Sequence, residues 1–180
     1  MVVFVDSTER KIVESVVHKL KCYYNKYNDN NLFIGCPNNG KIIVADLLGR
    51  ELGYLNIPGE RFALTHDSIY AINEKENLVL CYDTYGNQKW ITPDIVRDPL
   101  GIEVDFDGYA YVLRKHNTLH LIAPNGFRNS IVLNKTDGLE NPDYIMCSVE
   151  RYRINFFLAI LSKSNNQAIA YHLAGFRFGD

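Results

Sequence analysis

Residues 99–126 read PLGIEVDFDGYAYVLRKHNTLHLIAPNG, in which short apolar runs alternate with groups of Asp, Asn and Gly. Such runs, bounded by turn-forming residues, are typical of β-strands joined by tight turns. The group DFDG at residues 105–108 also matches the first half of a calcium loop. An EF-hand loop needs a third oxygen donor at its fifth position and a glutamate at its twelfth, where this chain has Tyr109 and His116. We therefore interpret DFDG as a turn whose Asp side chains accept backbone N–H groups.

The arrangement of apolar runs and turns recurs along the chain. An Asn before one strand is followed 10, 9, 9 and 9 residues later by a Gly, in the pairs Asn39 and Gly49, Asn77 and Gly86, Asn117 and Gly126, and Asn166 and Gly175. Further apolar runs on both sides give a unit of four short strands over about 40 residues, which is typical of a β-propeller blade. The Gly is predicted in the hairpin between the third and fourth strands, where a positive φ is needed.

The predicted fold is an all-β propeller in a single domain, residues 1–180. A four-stranded sheet that is apolar on both faces cannot bury itself alone, so the blades must stack on one another. About four and a half four-stranded blades are predicted, over residues 1–17 (partial), 20–57, 61–93, 99–134 and 142–180. Propellers close with about 4 to 8 blades. The chain is therefore a small ring or part of a larger one, such as a six-bladed ring, and we favour the part.

Charge and cysteine placement restrict the partners and the compartment. The chain has 19 Lys and Arg against 21 Asp and Glu, for a net charge of −2, which does not favour a polyanionic partner. The four cysteines are far apart and form no C-x-x-C pair, so they are predicted to be reduced thiols of the core. The first residues lack the pattern of a signal peptide, and no apolar run reaches the roughly 20 residues that span a bilayer. We expect a cytoplasmic protein with no membrane partner.

The stretch 99–126 resembles an NHL-type propeller repeat, with the pattern P-x-G-Φ-x-V-D-x-D-G-x-x-Y-V, a loop Asn and a strand that ends in P-x-G. Residues 131–148, IVLNKTDGLENPDYIMCS, are similar to the blade junction of invertebrate tripartite-motif (TRIM) proteins with NHL propellers. Residues 68–90, SIYAINEKENLVLCYDTYGNQKW, resemble the preceding blade of those proteins. The resemblance is strong over about residues 68–158 and weak elsewhere.

This resemblance implies a propeller that binds partners or ubiquitination substrates at the C-terminal end of a ubiquitin ligase. The RING, B-box and coiled-coil segments of that family need Cys and His clusters and heptads, and the sequence has none of these. The resemblance therefore implies no ligase activity for this chain itself.

Several Asp and His residues could belong to a catalytic or metal site, but each also has a simple structural explanation. A propeller enzyme of the lactonase or hydrolase kind would gather carboxylates and a metal at its central channel, and it is the main alternative. The candidate carboxylates are interpreted instead as turn-forming; they are Asp6, Asp46, Asp83 and Asp105. His116 and His120 are the one close pair of histidines, but Asn117 is expected to place His116 in a loop and a third ligand is missing. No catalytic residue, metal or cofactor is predicted.

The predicted function is non-catalytic protein binding through loops of a stiff scaffold. The candidate partner-binding residues are Tyr70, Arg114, His116, Tyr144 and Arg151, because Tyr and Arg are frequent interface anchors. Single-stranded RNA is a less favoured partner. Its candidate contacts are Arg151, Tyr152, Arg153, Phe176 and Arg177, with Arg114 and Lys115, and nearby acids weaken their field. Trp90 is predicted to pack in the core of its blade rather than to contact a partner.

Overall fold

The computed structural model describes residues 2–6, 11–16, 24–36, 40–58, 60–92, 97–149, 156–162 and 167–172. Within these ranges the regular elements are 17 β-strands and one short 3-10 helix, Lys135–Asp137, which confirms the all-β prediction. Contacts divide the chain into two compact units, Met1–Glu60 and Arg61–Asp180, which are described separately. The assignment of the whole chain to one domain stays a prediction.

The first unit contains an antiparallel hairpin, sheet A, and a four-stranded antiparallel sheet B. Sheet A comprises β1 (Val2–Asp6) and β2 (Lys11–Val16), and sheet B comprises β3 (Tyr24–Asn28), β4 (Asn31–Cys36), β5 (Lys41–Asp46) and β6 (Glu51–Leu55). Strand β4 is buried along nearly its whole length, in keeping with its apolar sequence NLFIGC. Strand β3 was not predicted, because its sequence YNKYN alternates half-buried with exposed residues and contains no apolar run.

The second unit contains three antiparallel sheets, C, D and E, in which strands adjacent in sequence are adjacent in space. Sheet C comprises β7 (Arg61–Leu64), β8 (Ser68–Asn73), β9 (Leu78–Asp83) and β10 (Gln88–Ile91). Sheet D comprises β11 (Pro99–Val104), β12 (Ala110–Arg114), β13 (Thr118–Ile122) and β14 (Asn129–Leu133). Sheet E comprises β15 (Pro142–Val149), β16 (Phe156–Ser162) and β17 (Gln167–His172). The strands of these sheets lie within the predicted ranges 61–93, 99–134 and 142–180, whose bounds as blades stay a prediction.

Sheet D is buried on both faces, as the stacking argument requires. Along β12, Ala110 and Val112 belong to an apolar cluster shared with sheet C, whereas Tyr111 and Leu113 belong to a cluster shared with sheet E. Alternate residues of a strand point to opposite faces, so one strand supplies both clusters. Burial of each such Val or Leu side chain contributes about 1.5–3 kcal/mol relative to exposure. The stack, rather than any single sheet, therefore holds the unit together.

The first strands of the three sheets are neighbours. Strand β11 contacts both β7 and β15, and a guanidinium N–H of Arg61 donates to the carbonyl of Pro99 at 3.1 Å. Gly101 lies so close to β15 that a Cβ at this position would be 2.7 Å from Cγ2 of Ile145. Sheets C, D and E therefore stack with their first strands along a common edge.

Among the described residues, one Asp-containing turn occurs three times, after β5, β9 and β11. One carboxylate oxygen accepts from the backbone N–H groups two and four residues later, at 3.0 and 2.8 Å for Asp46, 2.9 and 2.8 Å for Asp83, and 3.0 and 2.9 Å for Asp105. The N–H of the Gly three residues on donates to the Asp carbonyl, and this Gly has a positive φ in each turn. The DFDG stretch is therefore the predicted turn. The hairpin Gly prediction is confirmed at Gly49, Gly86 and Gly126.

Replacing Asp105 by alanine is expected to lower the free energy of unfolding by about 2 kcal/mol, because hydrogen bonds to charged groups contribute about 1.5–3 kcal/mol. Asp105 is buried, and its second oxygen lies 3.3 Å from the Tyr111 hydroxyl, so the variant removes an acceptor from this buried hydroxyl and from two backbone N–H groups of the turn. Urea unfolding followed by far-UV circular dichroism measures the change. Asp105→Asn retains an acceptor oxygen and is expected to lose less. An increase in melting temperature on addition of Ca²⁺ would contradict the turn interpretation.

Candidate functional site

The second unit has two ends that differ in character. The cavity end carries the β7–β8, β9–β10, β11–β12 and β13–β14 connections, and the linker end carries the β8–β9 and β12–β13 loops and the segments that lead into β11 and β15. Hydrogen bonds between neighbouring sheets show which ends of the sheets lie together. At the cavity end the Tyr70 hydroxyl of sheet C donates to the carbonyl of Gly108 in sheet D at 3.1 Å.

At the linker end the repeated loop Asn ties each sheet to the next. The Asn77 side chain accepts from the backbone N–H of Asp98 at 3.1 Å, and Asn117 accepts from that of Asn141 at 2.9 Å. All four residues have a positive φ, between 44° and 55°. In sheet B the residue directly before the third strand is Gly40, with a φ of 57°, whereas the predicted Asn39 lies outside the described residues. The loop Asn was predicted because Asn tolerates the left-handed backbone region. Its side-chain hydrogen bond to the next sheet was not predicted.

The linker end also brings together two of the predicted contact residues, Arg114 and His116. Arg114 donates through Nε to the carbonyl of Arg97 at 2.7 Å and through a terminal nitrogen to Nε2 of His120 at 3.0 Å. His116 lies in the loop, as predicted, with Nε2 at 3.2 Å from a carboxylate oxygen of Asp98. Both side chains are therefore held in place by their neighbours at the surface of this end.

His120 is buried beside Arg114 and is held neutral. Because a guanidinium can only donate, Nε2 of His120 must accept and the proton must reside on Nδ1. Burial, and then the positive charge of Arg114, lower the pKa of His120 from 6.5 to about 4. The folded protein therefore resists protonation at this position.

Lowering the pH from about 6.5 to about 4 is expected to destabilise the protein through His120. In this window the unfolded chain takes up a proton that the folded chain rejects, so stability falls with pH. Above pH 6.5 the imidazole is neutral in both states, and below about pH 4 it is protonated in both, so the contribution stops changing. Urea midpoints measured across this range for the wild type and His120→Gln test the effect. A pH dependence unchanged by the substitution would contradict it.

The other predicted contact residues are distributed differently. Tyr144 is half-buried near the start of β15, at the linker end. Tyr70 lies at the cavity end, 3% exposed, with its ring 5.7 Å from that of Trp90 in an edge-to-face arrangement. Arg151 lies outside the described residues, as do the RNA candidates at 152, 153, 176 and 177. The contact role of all five residues stays a prediction.

A cavity of about 240 Å³ opens at the cavity end between sheets C and D. Its lining comprises Thr65, Asp67, Ser68, Tyr70, Cys81, Lys89, Trp90, Phe106, Asp107, Gly108 and Pro124. Lys89 Nζ donates to the Ser68 hydroxyl at 2.7 Å and lies 3.4 Å from a carboxylate oxygen of Asp67. Two carboxylates and one ammonium give the lining one net negative charge.

The titratable groups of the cavity favour binding over covalent chemistry. Burial raises the pKa of the Cys81 thiol to about 11 and also raises the pKa of the Tyr70 hydroxyl, so both groups are neutral near pH 7. Hydrogen bonds from Ser68 and Thr65 lower the pKa of Asp67, which keeps this carboxylate charged. A thiol with a raised pKa is a poor nucleophile, because the thiolate is the reactive form. The cavity is therefore a fixed, mildly acidic recess.

Three aromatic side chains project from the turns of the cavity end. Tyr85 is 84% exposed, Phe106 is 80% exposed and Phe127 is 86% exposed. Sequence reasoning missed all three, although Phe106 stands inside the quoted DFDG turn. The available signal was an aromatic residue at a turn position that polar residues usually occupy. Exposed aromatics on short, hydrogen-bonded turns are suited to contact a partner without much loss of conformational entropy.

Comparison with solved structures decides the architecture. The chain is similar to BamB from Moraxella catarrhalis, with a TM-score of 0.57 and 12% identity over 83% of this chain and 42% of that one. The chain has a β-propeller fold. Two computationally designed proteins are similar as well. Ika8 has a TM-score of 0.59 and 11% identity, over 96% of this chain and 57% of Ika8. Ika4 has a TM-score of 0.60 and 8% identity, over 88% of this chain and 94% of Ika4.

The chain thus spans about half of the length of the BamB and Ika8 structures and nearly all of Ika4. No protein-family model and no curated protein sequence matches it. At 8–12% identity these likenesses concern the propeller fold alone.

Three further observations concern metals, membranes and thiols. In the part of the chain that the structure describes, no three His, Cys, Asp or Glu side chains form a group that could hold a metal ion. Across the same described ranges there is no helix with the length and apolar character to cross a membrane. Cys36 and Cys81 are buried and reduced, as predicted, whereas Cys147 is half-buried and Cys22 lies outside the described residues.

Proposed function

We propose that this propeller is a non-catalytic protein-interaction module and that its contact surface is the cavity end. The observation that carries the proposal is the set of three exposed aromatic side chains, Tyr85, Phe106 and Phe127, on turns beside a recess. The propeller fold is compatible with such a role. Aromatic residues dominate the binding energy of many interfaces, and a stiff scaffold positions them before the partner arrives.

The proposal of binding rather than catalysis is supported by the state of the candidate carboxylates. Asp46, Asp83 and Asp105 each direct a carboxylate oxygen to two backbone N–H groups of their own turn. A lactonase-like enzyme would need such groups to converge on a metal or a substrate. Turn geometry accounts for their presence without any catalytic role.

RNA binding is less favoured at this surface. Stacking of bases on Phe106 would bring phosphate groups near Asp107 and Asp67 of the same recess. Single-strand binding needs cations beside its stacking aromatics, because the phosphate backbone dominates affinity. The local charge thus favours a protein partner over a nucleic acid.

The finer proposal is that the module is the partner- or substrate-binding propeller of a TRIM-like ubiquitin ligase that acts in the cytoplasm. It is supported by the resemblance of residues 99–126 to an NHL repeat, and the buried reduced cysteines Cys36 and Cys81 suit a reducing compartment. Sequencing of transcripts that contain this chain tests the proposal. A RING and a B-box in the same reading frame would support it, and transcripts without them would contradict it.

A triple substitution tests the contact surface. We expect Tyr85→Ser, Phe106→Ser and Phe127→Ser together to weaken binding of the physiological partner at least about 100-fold, since central anchors contribute about 2 kcal/mol or more each. The partner is first isolated by cross-linking to the wild type, and its dissociation constant is then measured with purified proteins.

The matched control replaces exposed apolar residues of the sheet edges and sheet faces, Ile131→Ser and Met146→Ser, and is expected to bind normally. Normal binding by the triple variant would contradict the proposed contact surface, and the linker end would be the next candidate.

A further inference from the structure

We propose that the cavity between sheets C and D receives a basic side chain, an arginine or a lysine, of the partner protein. The inference rests on the proposed function and adds to it the chemistry of the group that is recognised. It is carried by the volume, the charge and the aromatic lining residues of the recess.

The volume of the recess suits one long side chain. Pockets for drug-sized molecules occupy about 300–1,000 Å³, whereas this cavity measures about 240 Å³ and is partly open to solvent. A single guanidinium or ammonium group with part of its stem fits such a space. A bulky free metabolite would remain largely outside it.

The charge of the recess favours a cation. The Lys89 ammonium is already engaged by the Ser68 hydroxyl and by the carboxylate of Asp67, so its charge is compensated within the lining. Asp107, on the β11–β12 turn, adds a second carboxylate. An entering carboxylate would have to displace Asp67 from Lys89 and approach Asp107. An entering ammonium or guanidinium instead meets a lining whose net charge is negative.

The aromatic walls favour a cation as well. Trp90 and Phe106 both line the recess, and the exposed ring of Phe106 stands at its rim. Cations are attracted to aromatic faces within about 6 Å, most strongly to Trp. Guanidinium groups also stack on aromatic rings. An arginine is therefore expected to bind more tightly than a lysine.

The fluorescence of Trp90 offers a direct test, because the chain has only this one tryptophan and it lines the cavity. The probes are four blocked tripeptides, Ac-Gly-X-Gly-NH₂, with X as Arg, Lys, Gln or Glu. Saturable changes are expected with Arg and Lys, at millimolar concentrations, and they should weaken as NaCl is raised. A response to Glu that equals or exceeds that to Arg, or no response to any peptide, would overturn the inference.

Substitutions test whether the peptides that change the Trp90 fluorescence bind in the cavity. Phe106→Ala and the nearly isosteric Asp107→Asn are each expected to weaken Arg-peptide binding about fivefold to tenfold. The matched controls are Tyr27→Ala, an exposed aromatic of sheet B outside the lining, and Glu140→Gln, an exposed acid in the segment between β14 and β15. Both controls should bind as the wild type does, and equal losses in all four variants would contradict a site in the cavity.

The outcome separates this inference from the proposed function. If the partner still requires Phe106 but no basic peptide changes the Trp90 signal, the contact surface stands and the basic occupant is wrong. If basic peptides bind while the triple aromatic variant keeps its partner, the cavity site stands and the surface is wrong.

Discussion

Replacing Gly126 by alanine is expected to lower the free energy of unfolding by about 3 kcal/mol, from two separate causes. Gly126 has a φ of 76°, and a side chain in this region costs about 1 kcal/mol. In addition, a Cβ at Gly126 would lie 2.5 Å from the Trp90 ring, and overpacking of this kind costs about 1–3 kcal/mol. The change is measured by urea unfolding with far-UV circular dichroism.

Gly138→Ala is the matched control for this variant. Gly138 has a φ of 87°, but a Cβ there would meet nothing within 4 Å. Only the backbone cost then remains, so the expected loss is about 1 kcal/mol. Equal losses in the two variants would show that contact with Trp90 adds nothing at Gly126.

The contrast between these glycines shows how far the sequence predicts the fold. The positive φ of Gly126 follows from its place in a hairpin, which is a local property that the repeat spacing indicates. Its contact with Trp90 joins a turn of sheet D to a strand of sheet C, and no local pattern reports it. Likewise, Trp90 was predicted to pack in its own blade. It does pack against the core, but its indole N–H also donates to the carbonyl of Pro124 in the next sheet, at 2.8 Å.

Strands were predictable where burial leaves an apolar run. Strands β4, β8 and β12 are buried on both faces, and their sequences are nearly continuous apolar runs. Strand β3 faces solvent with alternate residues, so its sequence resembles a loop. The loop Asn was predicted where it stands directly before the third strand of a sheet, at Asn77 and Asn117. In sheet B the residue directly before the third strand is Gly40, and the predicted Asn39 lies outside the described residues.

The candidate site was less predictable than the fold. Arg114 and His116 were chosen as loop residues that could contact a partner, and they do lie together at the linker end, but their contact role stays a prediction. The aromatics of the cavity end were overlooked, because Phe and Tyr are most often residues of strands. Phe106 and Tyr85 instead occupy turns that are closed by the hydrogen bonds of an Asp side chain. At these positions the aromatic ring cannot reach the core and is exposed. The exposure of these aromatic side chains can be recognised only after the turn residues have been identified.

The largest loss of stability is expected for Trp90→Ala, about 3 to 4 kcal/mol. Truncation of a large aromatic side chain in a core costs about 3–5 kcal/mol, and Trp90 is somewhat less than fully buried. The variant removes the contact with the Tyr70 ring and leaves the Pro124 carbonyl without its indole donor. Trp90→Phe retains an aromatic ring but loses the donor, so a smaller loss, about 1–2 kcal/mol, is expected.

A double-mutant cycle then tests whether Trp90 and Gly126 act as one contact between sheets C and D. In the Trp90→Ala background, Gly126→Ala no longer meets the indole ring, so only the backbone cost of about 1 kcal/mol should remain. The coupling energy is therefore expected to be about 2 kcal/mol, measured from the four unfolding curves. Additive losses would mean that the ring and the turn do not share a contact, and that the stacking of these two sheets depends on their apolar faces alone.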